Sequence, residues 1–365
     1  MKILLVGPDL GPPWTEGRKN FVRDLVPRLV VRAQVRLVTT ARQDGEITEP
    51  CAGKQAAVPQ KWRTPIALDQ AVTHAIRAWR PDVVCHFPYG TFRGIRGLVN
   101  RWSMRRIDQR CAQRAVRCLT ILYSLTNGSR ARLKRHVREL VLAPRVGWNG
   151  LTMTIGTDVT KALQVVAVPN GEPTALFMAG VADAGRVAVR YLLQERGLQD
   201  LIDAAPHLAA AGIRLIVAIP ALSDAGFCAD VRRRFMTAAP SLALDLRAAV
   251  PVPAIFGEVG LYVFPYRVEL EQFVPTSVLE SMAAGVPVVL SDLEMLAALA
   301  NHGRTAYLYR RCDGRHLAEV IVAAFGDVAG RSARALAARR LAVTEWSIDR
   351  SAEDLATLLG QTPAA

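Results

Sequence analysis

The sequence of 365 residues lacks the patterns that mark several common classes of protein. No apolar run approaches the roughly 18 residues of a membrane-spanning helix, and the run after Met1 is shorter than the roughly 7 to 15 residues of a signal-peptide core. The six cysteines include no Cys-x-x-Cys pair and no histidine at zinc-binding spacing. We therefore expect a cytoplasmic chain, soluble or peripheral to a membrane, that binds no metal and keeps Cys111 and Cys118 as buried free thiols.

Acidic residues are scarce in the first half of the chain. Residues 1–165 contain 28 Lys and Arg against 11 Asp and Glu, a net charge of +17, whereas residues 166–365 contain 18 against 21, a net charge of −3. Within residues 93–138, 13 basic residues accompany a single acid, Asp108. We expect any long-range attraction of acidic partners to come from this half.

The first half alternates between strand and helix patterns. The apolar segment 2–7 ends in Gly-Pro and precedes an amphipathic stretch around Phe21 and Leu25, which predicts a strand, a loop and a helix. Further apolar runs predict strands at residues 35–40, 81–87, 118–124 and 139–144. Strands separated by helices form parallel sheets that are covered on both faces.

The turn-rich segment 169–173 predicts a linker between two domains. We place one domain at residues 1–169 and a second at residues 170–345, which agrees with the usual size of α/β domains. The second domain repeats the alternation, with strands predicted at 174–180, 214–220, 260–266 and 286–291 and helices at 191–211, 226–238 and 277–284.

The segment from Phe264 to Asp292 combines a strand, a loop, a helix and a second strand. Pro275-Thr276-Ser277 opens the helix after the loop, so its N–H groups and positive end face the edge of the sheet where anions such as a diphosphate bind. Gly285 with Pro287 is expected to end the helix.

This segment, which reads LESMAAGVPVV from Leu279 to Val289, resembles the donor-site signature of retaining GT-B glycosyltransferases of family 4. The resemblance implies an α/β fold of two Rossmann-like parallel-sheet domains facing across a cleft, with residues 346–365 as a helix that crosses back toward the first domain. It implies a hexosyltransferase-like enzyme that moves a sugar from a nucleotide-diphosphate sugar to an acceptor carbohydrate or lipid-linked glycan. The reaction is expected to retain configuration and to need neither a metal nor another cofactor.

Glu280 has two interpretations. Its counterpart in the family accepts hydrogen bonds from the ribose hydroxyls of the donor. The spacing Ser277-x-x-Glu280 is also that of a capping box, in which Glu280 would only satisfy the N–H group of Ser277.

The family places another glutamate eight positions earlier, where this sequence has Gln272. Either Glu271 or Gln272 is expected to hold hydroxyls of the donor sugar. An amide forms hydrogen bonds but does not offset positive charge on the reacting sugar.

Three arginines and two smaller residues complete the donor-binding candidates. Arg190 and Arg196 keep the family's spacing of two cations that neutralise the diphosphate, and Arg186 lies in the loop before them. Arginine pairs on a helix are otherwise solvated surface residues. Gly17 stands for one glycine of the family's first-domain loop, and Asn170 belongs to the linker motif.

His86 follows a predicted strand and is either a packed polar residue or a group that contacts the acceptor. Tyr123 and Ser124 stand where the family more often has a histidine, and neither is a base at neutral pH.

The basic stretch 92–118 places Phe92, Ile95, Val99 and Trp102 near helical spacing among arginines. It is either an amphipathic helix that lies on an anionic membrane, on its inner face, or an exposed arginine face of a core helix. We expect no nucleic-acid partner, because no nucleic-acid motif accompanies the charge.

Two other functions fit the same fold. A GT-B-like epimerase would act on a nucleotide sugar without an acceptor, and we expect it to carry several cleft carboxylates and histidines that this sequence lacks. A non-catalytic protein that binds a nucleotide sugar or a membrane on a degenerate scaffold is favoured by Gln272 and by the missing histidine.

Overall fold

A computed structural model describes residues 1–7, 17–39, 48–50, 60–88, 94–122, 136–142, 151–163, 173–178, 192–219, 225–247, 255–268, 275–301 and 303–360. By their contacts these residues form two compact units. The first unit contains the described residues of 1–155 and 348–360, and the second those of 156–268 and 275–347. Most of the predicted linker lies outside the described residues.

The strands are β1 (Lys2–Val6), β2 (Gln34–Thr39), β3 (Thr48–Pro50), β4 (Val83–His86), β5 (Arg117–Ile121), β6 (Glu139–Leu142), β7 (Leu151–Thr152), β8 (Thr174–Met178), β9 (Arg214–Ala218), β10 (Leu244–Arg247), β11 (Leu261–Phe264), β12 (Val288–Ser291) and β13 (Tyr307–Tyr309). The helices are α1 (Gly17–Val30), α2 (Gln60–Trp79), α3 (Gly94–Ala112), α4 (Thr160–Leu163), α5 (Leu198–Ala210), α6 (Ala225–Ala238), α7 (Thr276–Ala284), α8 (Glu294–Leu299), α9 (Gly314–Gly326), α10 (Val328–Glu345) and α11 (Ile348–Gly360).

The first unit contains a parallel sheet in the order β3-β2-β1-β4-β5-β6-β7. Because successive side chains of a strand point to opposite faces, Ile3 and Leu5 pack with α1 and α11, whereas Leu4 and Val6 pack with α2. Helix α11 also accepts a hydrogen bond of 2.7 Å at the carbonyl oxygen of Leu358 from Arg117 of β5. Helix α11 is thus part of the core of the first unit.

The second unit contains a parallel sheet in the order β10-β9-β8-β11-β12-β13. Phe177 and Val263 lie on the face covered by α5, α6 and α9, whereas Leu176 and Tyr262 lie on the face covered by α7 and α8. Both sheets are therefore covered on two faces. The α/β class and the two parallel sheets expected from the sequence are confirmed.

The prediction of one helix over residues 191–211 is wrong. The helical pattern is interrupted at residues 195–197, and α5 begins only at Leu198. Gly197 has a φ of +75°, a left-handed conformation that other residues adopt only with strain. A separate turn therefore carries Arg196.

Cys111 and Cys118 are free and buried, as expected, but they do not share a helix. Cys111 lies in α3 and Cys118 in β5, and a hydrogen bond joins the two thiols. This hydrogen bond and burial raise the pKa of Cys118 well above its ordinary value. The Cys118 thiol is accordingly a protonated part of the core.

Candidate functional site

Helix α7 begins with N–H groups that the helix itself does not use. Pro275, which precedes the helix, has φ −59° and ψ 128° and forms no side-chain cap. Its carbonyl oxygen accepts hydrogen bonds from the N–H groups of Val278 at 3.0 Å and Leu279 at 3.2 Å. Among the described residues, the N–H groups of Thr276 and Ser277 have no hydrogen-bond partner. This start is suited to an anion.

The capping-box interpretation of Ser277 and Glu280 is wrong. A capping box requires the serine at the position before the helix, but Ser277 is already the second residue of α7. Its hydroxyl oxygen instead accepts a hydrogen bond of 2.8 Å from the hydroxyl of Tyr262 in β11. The Tyr262 hydroxyl also lies 3.5 Å from the carbonyl oxygen of Met178, so α7 begins at the carboxyl ends of β8 and β11.

Gly285 ends α7 as the sequence predicts. It has φ +77° and ψ 20°, its N–H group donates to the carbonyl oxygen of Met282, and the N–H group of Val286 donates to that of Ser281. These two hydrogen bonds form a Schellman motif. The helix is fixed at its far end, so its first turn has a defined position against the sheet.

Arg196 lies beside the end of β11. The central carbon of its guanidinium is 4.4 Å from the centre of the Tyr266 ring, a cation–π contact. A Cβ atom at Gly197 would lie 1.6 Å from the carbonyl oxygen of Pro265, so only glycine permits this approach of the two segments. The N–H group of Arg267 donates to the carbonyl oxygen of Glu195 at 3.0 Å.

Arg196 and Glu280 of α7 both influence the hydroxyl group of Tyr262. Burial raises this pKa above its ordinary value, and the hydrogen bond with Ser277 lowers it. The negative charge of Glu280 also raises the pKa of Tyr262, whereas the positive charge of Arg196 lowers it. Glu280 and Arg196 are therefore both close enough to Tyr262 to act on the same hydroxyl group.

A buried ion pair supports this corner of the second unit. Asp200 of α5 is fully buried and accepts hydrogen bonds from the guanidinium of Arg267, including one from Nε at 2.8 Å. It also accepts bonds from the Tyr309 hydroxyl at 2.8 Å and from the N–H group of Cys312 at 3.2 Å. The pKa of Tyr309 is raised by burial and by the charge of Asp200. A buried charge with this many partners is compensated.

The structure thus brings together five of the residues selected from the sequence. Pro275, Thr276, Ser277, Glu280 and Arg196 all lie in the second unit around Tyr262. The candidates Arg186, Arg190, Glu271, Gln272 and Asn170 lie outside the described residues, as do Tyr123 and Ser124.

The two remaining candidates lie in the first unit. Gly17 is the first residue of α1. His86 ends β4 with 1% of its surface exposed, and burial lowers its pKa from 6.5 to about 3. Its Nδ1 atom is buried without a hydrogen-bond partner among the described residues, as is the hydroxyl of Thr120, its neighbour in β5. His86 is accordingly neutral at physiological pH.

The sequence reasoning missed Tyr262, Tyr266, Asp200 and Arg267. Two signals were available, since Tyr266 directly follows the Pro265 that ends β11 and Asp200 interrupts the apolar face of α5 between Leu198 and Leu201. Neither signal predicts that Asp200 pairs with Arg267, because the two residues are 67 positions apart in the sequence.

Helix α3 uses much of its charge inside the first unit. Arg106 and Arg110 form ion pairs with Asp69 of α2 at 3.5 and 3.4 Å. Val99, one of the apolar residues of the predicted membrane face, is 4% exposed and belongs to the interior. Within the described part of the chain, no helix is long and apolar enough to cross a membrane, and no group of three His, Cys, Asp or Glu residues is placed to hold a metal ion.

Residues 183–327 match the family model described as Glycosyl transferases group 1. This segment includes Arg196, the start of α7 and Glu280. None of the curated proteins matches the sequence. The family match therefore covers the part of the chain in which the site residues come together.

Solved structures share the fold over nearly the whole chain. A glycosyltransferase of Rickettsia africae has a TM-score of 0.72 at 11% identity, covering 98% of this chain and 97% of its own. A sucrose-phosphate synthase of Thermosynechococcus elongatus has a TM-score of 0.70 at 15% identity, covering 98% of both chains. The HepE protein of Anabaena, solved with UDP and glucose, has a TM-score of 0.69 at 13% identity, covering 99% of this chain and 100% of its own. The expected resemblance to GT-B glycosyltransferases is confirmed.

Proposed function

We propose that the chain transfers a sugar from a nucleotide-diphosphate sugar to a hydroxyl group of an acceptor carbohydrate or lipid-linked glycan. The observation that carries this proposal is the start of α7, where Ser277 contacts Tyr262 of β11 and Arg196 lies over Tyr266, just beyond the same strand. Helix N–H groups and an arginine are the groups with which proteins bind phosphate. The match of the same segment to the group 1 family supports this choice.

In this proposal each candidate has one role. Arg190 and Arg196 neutralise the diphosphate, with Arg186 close by, and Glu280 accepts hydrogen bonds from the ribose hydroxyls. Glu271 or Gln272 holds the donor sugar. Of the two interpretations of His86, burial of its side chain favours the packed polar residue over direct contact with the acceptor. Gly17 allows close approach of the backbone to the donor, and Asn170 of the linker motif is a further donor-binding residue.

The proposed reaction depends on stabilising the leaving group. Negative charge grows on the diphosphate as its bond to the sugar breaks, and the arginines with the N–H groups of α7 stabilise that charge without a metal. The diphosphate then assists attack by the acceptor hydroxyl on the face from which it leaves. The configuration at the sugar carbon is therefore retained.

Isothermal titration with UDP, GDP and ADP tests the binding part of the proposal. UDP is the first probe, because the HepE protein of Anabaena was solved with UDP and with UDP-glucose. We expect at least one of the three nucleotides to bind, and Arg196→Gln to weaken that binding about tenfold or more, the loss of one charge-assisted hydrogen bond. Absence of binding to all three would overturn the transferase and both alternatives that use a nucleotide sugar.

The proposed role of Glu280 is tested with a nucleotide that lacks the ribose hydroxyl groups. The unchanged chain is expected to bind UDP at least tenfold more tightly than 2′,3′-dideoxy-UDP, because two hydrogen bonds to a carboxylate are lost. Glu280→Ala should bind the two nucleotides equally, whereas Glu319→Gln, an exposed residue of α9 paired with Arg315, should preserve the preference. A preference that survives in Glu280→Ala removes the ribose role.

Product analysis separates the three functions. The transferase releases a nucleotide diphosphate only when an acceptor is present and forms a glycosylated product. An epimerase converts a nucleotide sugar to its epimer without an acceptor, and a binding protein returns the donor unchanged. Mass spectrometry and nuclear magnetic resonance of the reaction mixture distinguish these outcomes, and the anomeric signal of the product tests retention.

The proposal includes a membrane surface that presents the acceptor. Leu98, Trp102 and Arg105 share one face of α3 by their spacing, and Leu98 and Arg105 are exposed. Such a face is suited to an anionic lipid surface. In liposome flotation we expect recovery with anionic lipid at low salt to exceed recovery with neutral lipid. Equal recovery on both would reject the membrane partner.

A further inference from the structure

Tyr266 is placed between the sheet and Arg196. It is 2% exposed, and its ring stacks on that of Phe264 with centres 3.8 Å apart and planes inclined by 20°. The same ring carries the guanidinium of Arg196 at 4.4 Å. The hydroxyl of Tyr266 is buried and has no hydrogen-bond partner in the described ranges of the chain. The ring, rather than the hydroxyl, makes the contacts of this side chain.

The backbone fixes these two segments together. The N–H group of Arg267 donates to the carbonyl oxygen of Glu195, and Gly197 lies against Pro265. The residues on either side of Arg196 are thus in contact with the residues on either side of Tyr266. The position of the Arg196 guanidinium is therefore coupled to the position of the Tyr266 ring.

We propose that Tyr266 is a positioning residue that holds the guanidinium of Arg196 in place for the diphosphate at the start of α7. The inference rests on the proposed function and adds to it a residue that the sequence analysis did not select. A cation over an aromatic ring is attracted by the negative face of the ring. A guanidinium that is already held loses less freedom when it binds a phosphate, so affinity rises.

The test compares two replacements of Tyr266 by titration with UDP and by competition with uridine, which has no phosphate. Tyr266→Phe keeps the ring and is expected to bind UDP within twofold of the unchanged chain. Tyr266→Leu removes the ring and is expected to bind UDP about tenfold more weakly, while uridine affinity changes less than twofold. Tyr266→Met is a second replacement without a ring and should behave like Tyr266→Leu.

A double-variant cycle shows whether Tyr266 acts through Arg196. If it does, Arg196→Gln combined with Tyr266→Leu binds UDP no more weakly than Arg196→Gln alone. A purely structural role predicts the opposite, since loss of the ring would then weaken binding by the same factor in both backgrounds. Tyr307→Leu is the matched control, because it removes a ring that carries a different arginine of the second unit, Arg334 at 4.3 Å, and leaves the ring under Arg196. It should bind UDP within threefold.

The outcomes separate this inference from the proposed function. If the unchanged chain binds no nucleotide diphosphate, the proposed function fails and the inference fails with it. If the unchanged chain binds UDP and Arg196→Gln weakens binding, but Tyr266→Leu and Tyr266→Met equal Tyr266→Phe, only the inference is overturned. Equal losses in both backgrounds of the cycle also overturn it.

Discussion

At the carboxyl ends of β4 and β5 in the first sheet two buried polar side chains are neutral, whereas at the carboxyl end of β11 in the second sheet several side chains are charged. His86 and Thr120 lie side by side in β4 and β5, both buried, and burial keeps the imidazole uncharged. The corresponding end of the second sheet adjoins Arg196, Arg267 and Glu280. Each sheet thus creates a different electrostatic environment at its edge.

The net charge of the two halves of the chain does not predict where these charged side chains gather. Residues 1–165 carry a net charge of +17, and residues 166–365 carry −3. The groups suited to a diphosphate nevertheless lie in the second half, where one helix start and one arginine are held in defined positions. Local geometry therefore decides where an anion binds, and net charge decides how strongly the surface attracts anions from a distance.

The largest effect is expected when the buried carboxylate of Asp200 in the second unit is removed. Asp200→Ala leaves Arg267 without its partner and should lower the free energy of unfolding by about 3 to 5 kcal/mol. Asp200→Leu combined with Arg267→Met should recover much of this loss, because no lone charge stays behind. Denaturant unfolding followed by circular dichroism measures both, with the exposed Asp203→Ala as the control. Equal losses in the single and the double variant would contradict this account.

A smaller effect is expected from the glycine that brings Arg196 to Tyr266. Gly197→Ala places a Cβ atom against the Pro265 carbonyl and strains a positive φ, which should cost about 2 to 4 kcal/mol of unfolding free energy. Gly212 also has a positive φ, +65°, but nothing lies within 4 Å of an added Cβ atom. Gly212→Ala should therefore cost only about 1 kcal/mol. The same loss in both variants would show that the contact with Pro265 is not restrictive.

His86 provides the corresponding test of the first unit. Its pKa is about 3 in the folded chain and about 6.5 when unfolded, so only the unfolded state binds a proton as the pH falls through this range. The free energy of unfolding is therefore highest above pH 6.5. It should fall by about 2 kcal/mol on going from pH 7.5 to pH 5. The pH dependence of the free energy of unfolding should be reduced in His86→Asn. An unaltered slope in His86→Asn would mean that the imidazole is charged in the fold.

The smallest effect concerns net charge itself. Arg32 and Arg105 are exposed residues of the first unit, and replacing both by Gln removes two positive charges far from α7 in the sequence. UDP affinity should change less than twofold at 0.15 M salt, because salt screens the interaction of exposed charges beyond about 8 Å. A loss as large as that of Arg196→Gln would show that net charge, rather than the site, determines binding.

The central strands of both sheets could be predicted from the sequence, and the edge strands could not. β8, β9, β11 and β12 are apolar runs that are almost wholly buried. The edge strand β10 reads Leu-Asp-Leu-Arg with all four side chains half-buried, so it gives no apolar run. Asp245 forms ion pairs with Arg247 and Arg214, and Arg247 also pairs with Glu258. Burial raises the pKa of Asp245, but the hydrogen bonds and charges of the two arginines hold it below its ordinary value. Such pairs depend on the finished sheet.

For the candidate site, the motif predicts the helix and the tertiary contacts decide the role of its residues. The spacing of Ser277 and Glu280 allows a capping box, but α7 begins one residue before Ser277, whose hydroxyl contacts Tyr262, 15 positions away. In the same way the motif around Arg196 suggests one long helix, whereas the left-handed Gly197 and its contact with Pro265 divide it. Sequence spacing does not contain these long-range contacts.

On the two sides of the site in the second unit, the backbone amide hydrogens should exchange with solvent deuterium at different rates. The N–H group of Arg267 is bonded to Glu195 beside a buried ion pair, so it should exchange with solvent deuterium only when the unit opens. The N–H groups of Thr276 and Ser277 have no such bond among the described residues and should exchange at once. Protection that appears at these two amides alone when UDP is added would mark the position of the bound phosphates.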